Sequence, residues 1–177
     1  MKKILAIGAS NSRQSINGRF ARWAAQRIEN TAVELLDLND FEMPIYSIDR
    51  ENETGIPQLA HDFKTKIKTA DGIVISLAEH NGSYSAGFKN ITDWVSRIEK
   101  GTWADKPVLL LATSPGQRGG AGVLASANLT FPYQGAHVVG TFSLPSFHQN
   151  FEEIHGIKAS ALAEAFYEQL NHFVTAI

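Results

Sequence analysis

The run Met1-Lys-Lys-Ile4-Leu-Ala-Ile7-Gly8-Ala9-Ser10-Asn11-Ser12-Arg13-Gln14-Ser15-Ile16-Asn17 decides the fold. Its apolar stretch from Ile4 to Ile7 is short and unbroken, as in a strand buried on both faces. Polar residues follow Gly8 almost at once, and a helical period starts near Asn17, placing Phe20, Ala24 and Ile28 on one face. A strand, a hydroxyl-rich turn and a helix N-terminus in that order make a βα unit whose turn suits an anion. Hydroxyls of Ser10, Ser12 and Ser15, the amide of Asn17 and the first N–H groups of the helix would face it, with the positive end of the helix dipole behind them. Arg13 adds charge and a fork of donors. The spacing is neither the Gly-x-Gly-x-x-Gly of a dinucleotide fold nor the Gly-Lys-Ser/Thr of a P-loop. Because any βα turn favours Ser and Asn as caps, this loop alone leaves a purely structural reading open.

Outward from that unit, four more apolar runs recur at Val33 to Leu38, Gly72 to Leu77, Val108 to Ala112 and Val138 to Phe142. Helical periods lie between and after them: Leu59, Phe63 and Ile67; Phe88, Ile91, Val95 and Ile98; Leu162, Phe166, Leu170 and Phe173; and a weaker segment from Gly119 to Phe131. Strand followed by helix throughout predicts an α/β fold, a mostly parallel sheet with helices on both faces and right-handed crossovers. Residues Asn39 to Gly55 show neither clean period nor strand content, and a loop of that length in a compact domain is usually functional or mobile. No repeat or linker divides the chain, so a single domain over residues 1–177 is expected.

Two further strand-to-helix turns are rich in chemistry. After the third strand comes Ala78-Glu79-His80-Asn81-Gly82-Ser83-Tyr84-Ser85-Ala86-Gly87, then the helix carrying Phe88-Lys89-Asn90-Ile91-Thr92-Asp93-Trp94. A lone loop histidine such as His80 is more often a hydrogen-bonding or packing group than an acid, and Trp94, beside Ile91 and Val95, reads as core. After the fourth strand, Thr113-Ser114-Pro115-Gly116-Gln117-Arg118-Gly119-Gly120-Ala121-Gly122 holds four glycines in seven residues, which lets a backbone approach a flat ligand. In an open parallel sheet, ligands bind at the carboxyl ends of strands where the strand order reverses. The order itself is not legible here.

Composition narrows the partners. Sixteen Lys and Arg against eighteen Asp and Glu give a formal charge of −2, with no basic block to draw nucleic acid or anionic lipid. There is no cysteine, which excludes disulfides, thiolate metal sites and a cysteine nucleophile. The short run after Lys2 and Lys3 ends at Gly8 and reads as a strand rather than a secretory leader. No stretch approaches the roughly 18 apolar residues of a membrane span. A soluble, cytoplasmic protein is expected, with neither metal, nucleic acid nor membrane as partner.

The three turns together resemble those of the NADPH-dependent FMN reductases of flavodoxin-like fold, a family that includes azo-dye, chromate and quinone reductases. Gly8 to Asn17 is similar to its phosphate loop, Gly-Ser-x-Arg followed by Ser-x-Asn. Glu79 to Ser83 with Lys89-Asn90-Ile91-Thr92-Asp93-Trp94 is similar to Pro-Glu-Tyr-Asn-x-Ser and Leu-Lys-Asn-x-x-Asp-Trp. Ser114-Pro115-Gly116 with Gly119-Gly120 matches Ser-Pro-Gly-x-x-Gly-Gly. The chain departs from the family at Ala78, at His80 where the family has Tyr, at Ser85-Ala86, and in a first loop one residue longer.

The resemblance implies a three-layer sandwich with strand order 2-1-3-4-5, which makes the three loops neighbours, and FMN as cofactor with NAD(P)H as electron donor. FMN rather than FAD also fits a first loop with one phosphate cradle. By the resemblance, Ser10, Ser12, Arg13, Ser15, Ile16 and Asn17 hold the phosphate. Glu79, His80, Asn81, Gly82 and Ser83 line the ring, largely through backbone, and Ser114, Pro115, Gly116, Gly119 and Gly120 close its other edge. A homodimer or homotetramer is implied too, with the site near the subunit interface, to which the loop from Asn39 to Gly55 would contribute. The expected activity is reduction of flavin, quinone or similar small acceptors, with no side chain assigned as catalytic. A flavodoxin-like electron carrier and a non-redox binding protein on the same fold are the alternatives.

Overall fold

The computed structural model describes residues 1–177. Five strands, β1 (Lys2–Ala9), β2 (Thr31–Leu36), β3 (Gly72–Leu77), β4 (Lys106–Thr113) and β5 (Ala136–Leu144), pair in parallel in the order β2-β1-β3-β4-β5. Each coincides with an apolar run in the sequence, and β3, buried at all six positions, occupies the centre. Successive side chains of a strand point to opposite faces, so Ile4, Ala6 and Val74 enter one core while Leu5, Ile7, Ile73 and Ile75 enter the other.

The first core is covered by helices α1 (Ile16–Ala25) and α7 (Ser160–Ala176), through Phe20, Trp23, Ala24, Phe166, Leu170 and Phe173. Helices α3 (Gln58–Thr69), α4 (Ala86–Val95) and α5 (Ala121–Thr130) cover the second through Phe63, Ile67, Phe88, Trp94 and Val123. Sheet and helices thus form three layers, the flavodoxin-like arrangement, and Trp94 is 1% exposed, core as its spacing suggests.

The segment without a clean period is ordered differently from a bare loop. A 3-10 turn at Leu38–Phe41 leads to the short helix α2 (Ile48–Thr54), which Ser47 caps by accepting from the Arg50 N–H and Gly55 ends at φ 75°. A second excursion after β5, α6 (Phe147–Asn150) and the antiparallel pair β6 (Phe151–Glu152) and β7 (Gly156–Ile157), has no counterpart in the sequence reading. Both elements of that pair are too short for a period to show. Its Gly156, at φ 79°, sits against Trp23, where any Cβ would fall 2.0 Å from the indole.

Candidate cofactor site

Strand order β1-β3-β4 brings the turns after these three strands together at one end of the sheet, around the switch point between the adjacent strands β1 and β3. Beneath them lies a layer of buried polar groups. Asn17 is 3% exposed; its Nδ2 donates to the Thr113 carbonyl at 3.1 Å, while its Oδ1 accepts from the Thr113 N–H at 3.1 Å and the Ser76 hydroxyl at 2.7 Å. The start of α1 is thereby fastened to the ends of β3 and β4. Ser85 caps α4 through the Phe88 N–H and also donates to the Ala9 carbonyl at 2.9 Å, fastening α4 to β1. The Thr113 hydroxyl donates to the Leu144 carbonyl at 2.7 Å, joining β4 to β5. A satisfied buried network of this kind rigidifies what it joins, and here it is the floor of a cleft.

That cleft, about 580 Å³ counting its open mouth, touches all three loops. Ser10, Ser12, Ser15, Ile16 and Asn17 line it from the first, Glu79 and His80 from the second, Ser114 and Pro115 from the third. Gln14, Ala78 and Thr113, which were not among the expected site residues, line it as well. The first loop is folded on its own hydroxyls. Ser10 Oγ accepts from the Ser12 N–H at 3.2 Å, Ser12 Oγ from the Gln14 N–H at 3.3 Å, and Ser15 Oγ, as N-cap, from the Gly18 N–H at 3.0 Å. A hydroxyl that accepts in this way keeps its own hydrogen to donate. The backbone N–H groups of Arg13, Ile16 and Asn17 have no partner within the protein. Three hydroxyl donors and unpaired N–H groups at the positive end of a helix are the donor set of a phosphate cradle.

The remaining expected residues are placed less directly. The Asn17 side chain is committed to the floor, so only its backbone N–H faces the cradle. Arg13 is exposed and outside every ion pair; it lines a second crevice behind the loop, beside Arg22 and the end of β2. Asn81, at φ 52°, and Gly82, at φ 78°, form a two-residue turn closed by reciprocal bonds between His80 and Ser83 at 2.9 and 3.1 Å. Positive φ at both central residues marks a type I′ turn, which Asn-Gly favours. Asn81, Gly82 and Ser83 are therefore an exposed hairpin tip rather than cleft wall. Gly116 accepts from the Ser146 N–H at 2.9 Å, and Gly119 and Gly120, at φ 58° and 76°, turn the chain into α5. These three glycines shape the loop from behind.

Away from the cleft, α4 explains the second half of its motif. Asn90 Oδ1 accepts from the Tyr46 N–H at 2.8 Å, its Nδ2 donates to the carbonyls of Met43 and Pro44, and Trp94 Nε1 donates to the Pro44 carbonyl at 2.7 Å. Tyr46 packs edge-on against Trp94, with centroids 5.0 Å apart, and its hydroxyl reaches Glu51, which also binds Arg97 at 2.9 Å. Asn90 and Trp94 thus latch the segment after β2 against α4.

A five-stranded parallel sheet in this order, covered by helices on both faces and with a polar cleft at its switch point, is the flavodoxin-like fold. The chain belongs to the NADPH-dependent FMN reductase family, whose model matches residues 2–149. It is 34% identical to the quinone reductase of Escherichia coli K12 over 120 residues, 67% of this chain and 63% of that one. It is also 34% identical to the NADPH azoreductase of Bacillus sp. OY1-2 over 124 residues, covering 70% and 65%. The matched part thus spans less than two thirds of those relatives. Among solved structures, FerB, a flavoenzyme NAD(P)H:(acceptor) oxidoreductase from Paracoccus denitrificans, superposes with a TM-score of 0.78 over 99% of this chain and 97% of its own, at 22% identity.

Proposed function

We propose that residues 1–177 form one FMN-binding domain that passes electrons from NAD(P)H to small acceptors such as quinones, azo compounds or free flavin. The observation that carries this is the first loop, where unpaired N–H groups and free hydroxyl hydrogens converge at the start of α1 in a cleft shared with the second and third loops. That donor set fits one phosphoryl group, and the names of the family and of its relatives supply the chemistry. When bound, FMN supplies hydride acceptance from a nicotinamide and electron delivery to an acceptor. The chain's part is to hold and orient. Ser10, Ser12 and Ser15 would donate hydroxyl hydrogens and Ile16 and Asn17 their backbone N–H groups, and Arg13, exposed on the flank of the loop, would add charge. Glu79, His80, Ser114 and Pro115, which line the cleft, would flank the ring. No helix is long and apolar enough to cross a membrane, and a cytoplasmic enzyme fits that finding. A homodimer or homotetramer fits the side chains of Leu129, at the end of α5, and Tyr133, in the 3-10 turn after it, which are 70% and 90% exposed.

The visible spectrum of the purified protein and its NADPH consumption with a quinone test the activity. Arg13→Ala and Ser15→Ala test the cradle. Each removes charge-assisted or hydroxyl bonds worth about 1.5–3 kcal/mol, so FMN affinity should fall roughly ten- to hundredfold. Riboflavin, which has no phosphate, should bind as it does to wild type. Equal losses for both ligands would show that the loop is only a helix cap.

A further inference from the structure

Helix α5 starts without a cap of its own. Its N-cap is Gly120, which has no side chain to offer, and its first turn holds no acidic residue. The missing acceptor comes from the other side of the cleft. Glu79 Oε2 accepts from the Gly122 N–H at 3.1 Å and the Val123 N–H at 3.3 Å, across 43 residues of sequence. A carboxylate there satisfies donors that the helix cannot pair itself and meets the positive end of its dipole. Gly122 allows the approach, since a Cβ at that position would lie 2.9 Å from Glu79 Oε1. Glu79 is at once a wall of the cleft, next to His80, and the link to the helix that the third loop enters.

We propose that Glu79 is a positioning residue whose carboxylate ties the second loop to the start of α5 and so fixes the gap that receives the planar ring before any cofactor arrives. This rests on the FMN reading above. It predicts a loss unlike that of the phosphate loop, because a changed gap affects the ring and not the phosphate.

The test uses the full chain. In the cofactor-free protein, Glu79→Ala should speed hydrogen exchange at the Gly122 and Val123 amides. In titrations followed by flavin fluorescence, it should weaken FMN and riboflavin alike, each by about tenfold, or ~1.4 kcal/mol. Glu79→Gln keeps an acceptor oxygen without the charge, should fall between the two, and serves if the alanine variant does not fold. Ala121→Asp, at an exposed first-turn position, separates capping from tethering. Added to Glu79→Ala, it should restore the slow exchange of α5 without restoring flavin affinity. The proposal is overturned if that second substitution restores both, or if Glu79→Ala binds both flavins within about twofold of wild type. A wild-type chain that binds neither flavin overturns the cofactor reading and this role with it. A wild type that binds both beside an unaffected Glu79→Ala overturns this role alone.

Discussion

At Gly8, a Cβ would fall 2.3 Å from the Gly18 Cα and 2.5 Å from its nitrogen. Both are backbone atoms that cannot rotate aside, so the contact sets how closely α1 sits on β1. Gly8→Ala should push α1 off the strand and cost about 1–3 kcal/mol, as overpacking does, read as a lower melting temperature. FMN affinity should fall with it if the proposed cradle, which uses α1's own first N–H groups, holds the phosphate. An unchanged melting temperature would show that the backbone relaxes without strain. The neighbourhood of Gly8 was partly legible. The hydroxyls and the helix start were readable from their types and spacing, but the partner of the Asn17 amide was not. Nothing local to Ser15-Ile16-Asn17 tells that Thr113, 96 residues away, would take up that side chain. Glu79 hid its role in the same way, since its two donors belong to another element.

Among the elements, helix α4 does two jobs with its two ends: Ser85 anchors its start under the cleft, and Asn90 with Trp94 holds the segment from Met43 to Tyr46. Asn90→Ala leaves the Tyr46 N–H and the Met43 carbonyl without their partner. Each such loss costs about 1–3 kcal/mol where water cannot compensate. The expected outcome is faster proteolytic cleavage between Phe41 and Ser47, with β-sheet signals in circular dichroism unchanged. Cleavage at the wild-type rate would mean that Trp94 alone holds the segment. The long helices α1, α3, α4 and α7 were visible in the sequence because each repeats its apolar face for two turns or more. Helix α2, with seven residues and none buried, has no such face, and its cap at Ser47 and its end at Gly55 emerge only in the structure.

For the whole molecule, strand positions were readable from buried runs, whereas strand order came from family resemblance, since pairing of β1 with β3 depends on contacts no local pattern encodes. Charge pairs add a pH dependence to the contacts that join α3 to β2 and both α2 and α3 to the turn after α4. Hydrogen bonds from Lys3 and then Lys66 hold Glu34 below its ordinary value, Arg97 does so for Glu51, and Lys68 and then Lys64 for Glu99. Their stabilisation is present above the ordinary glutamate value of 4.5 and is lost as pH falls through the lowered folded values. Melting temperature should therefore drop below about pH 4.5, and Glu51→Gln should flatten part of that fall while lowering the midpoint at neutral pH. A fall as steep as in wild type would show that Glu51 has no part in it; the effect is modest in any case, because these groups meet solvent. The three tryptophans are 5%, 1% and 0% exposed, Trp23 in the core under α1 and Trp94 with Trp103 in the core on the opposite face. Indole emission moves to longer wavelength when water reaches the ring, so the chain carries an optical gauge on each side of its sheet. A version keeping Trp23 alone and one keeping Trp103 alone would show whether the two layers melt at one midpoint, as a cooperative unit must, or in turn.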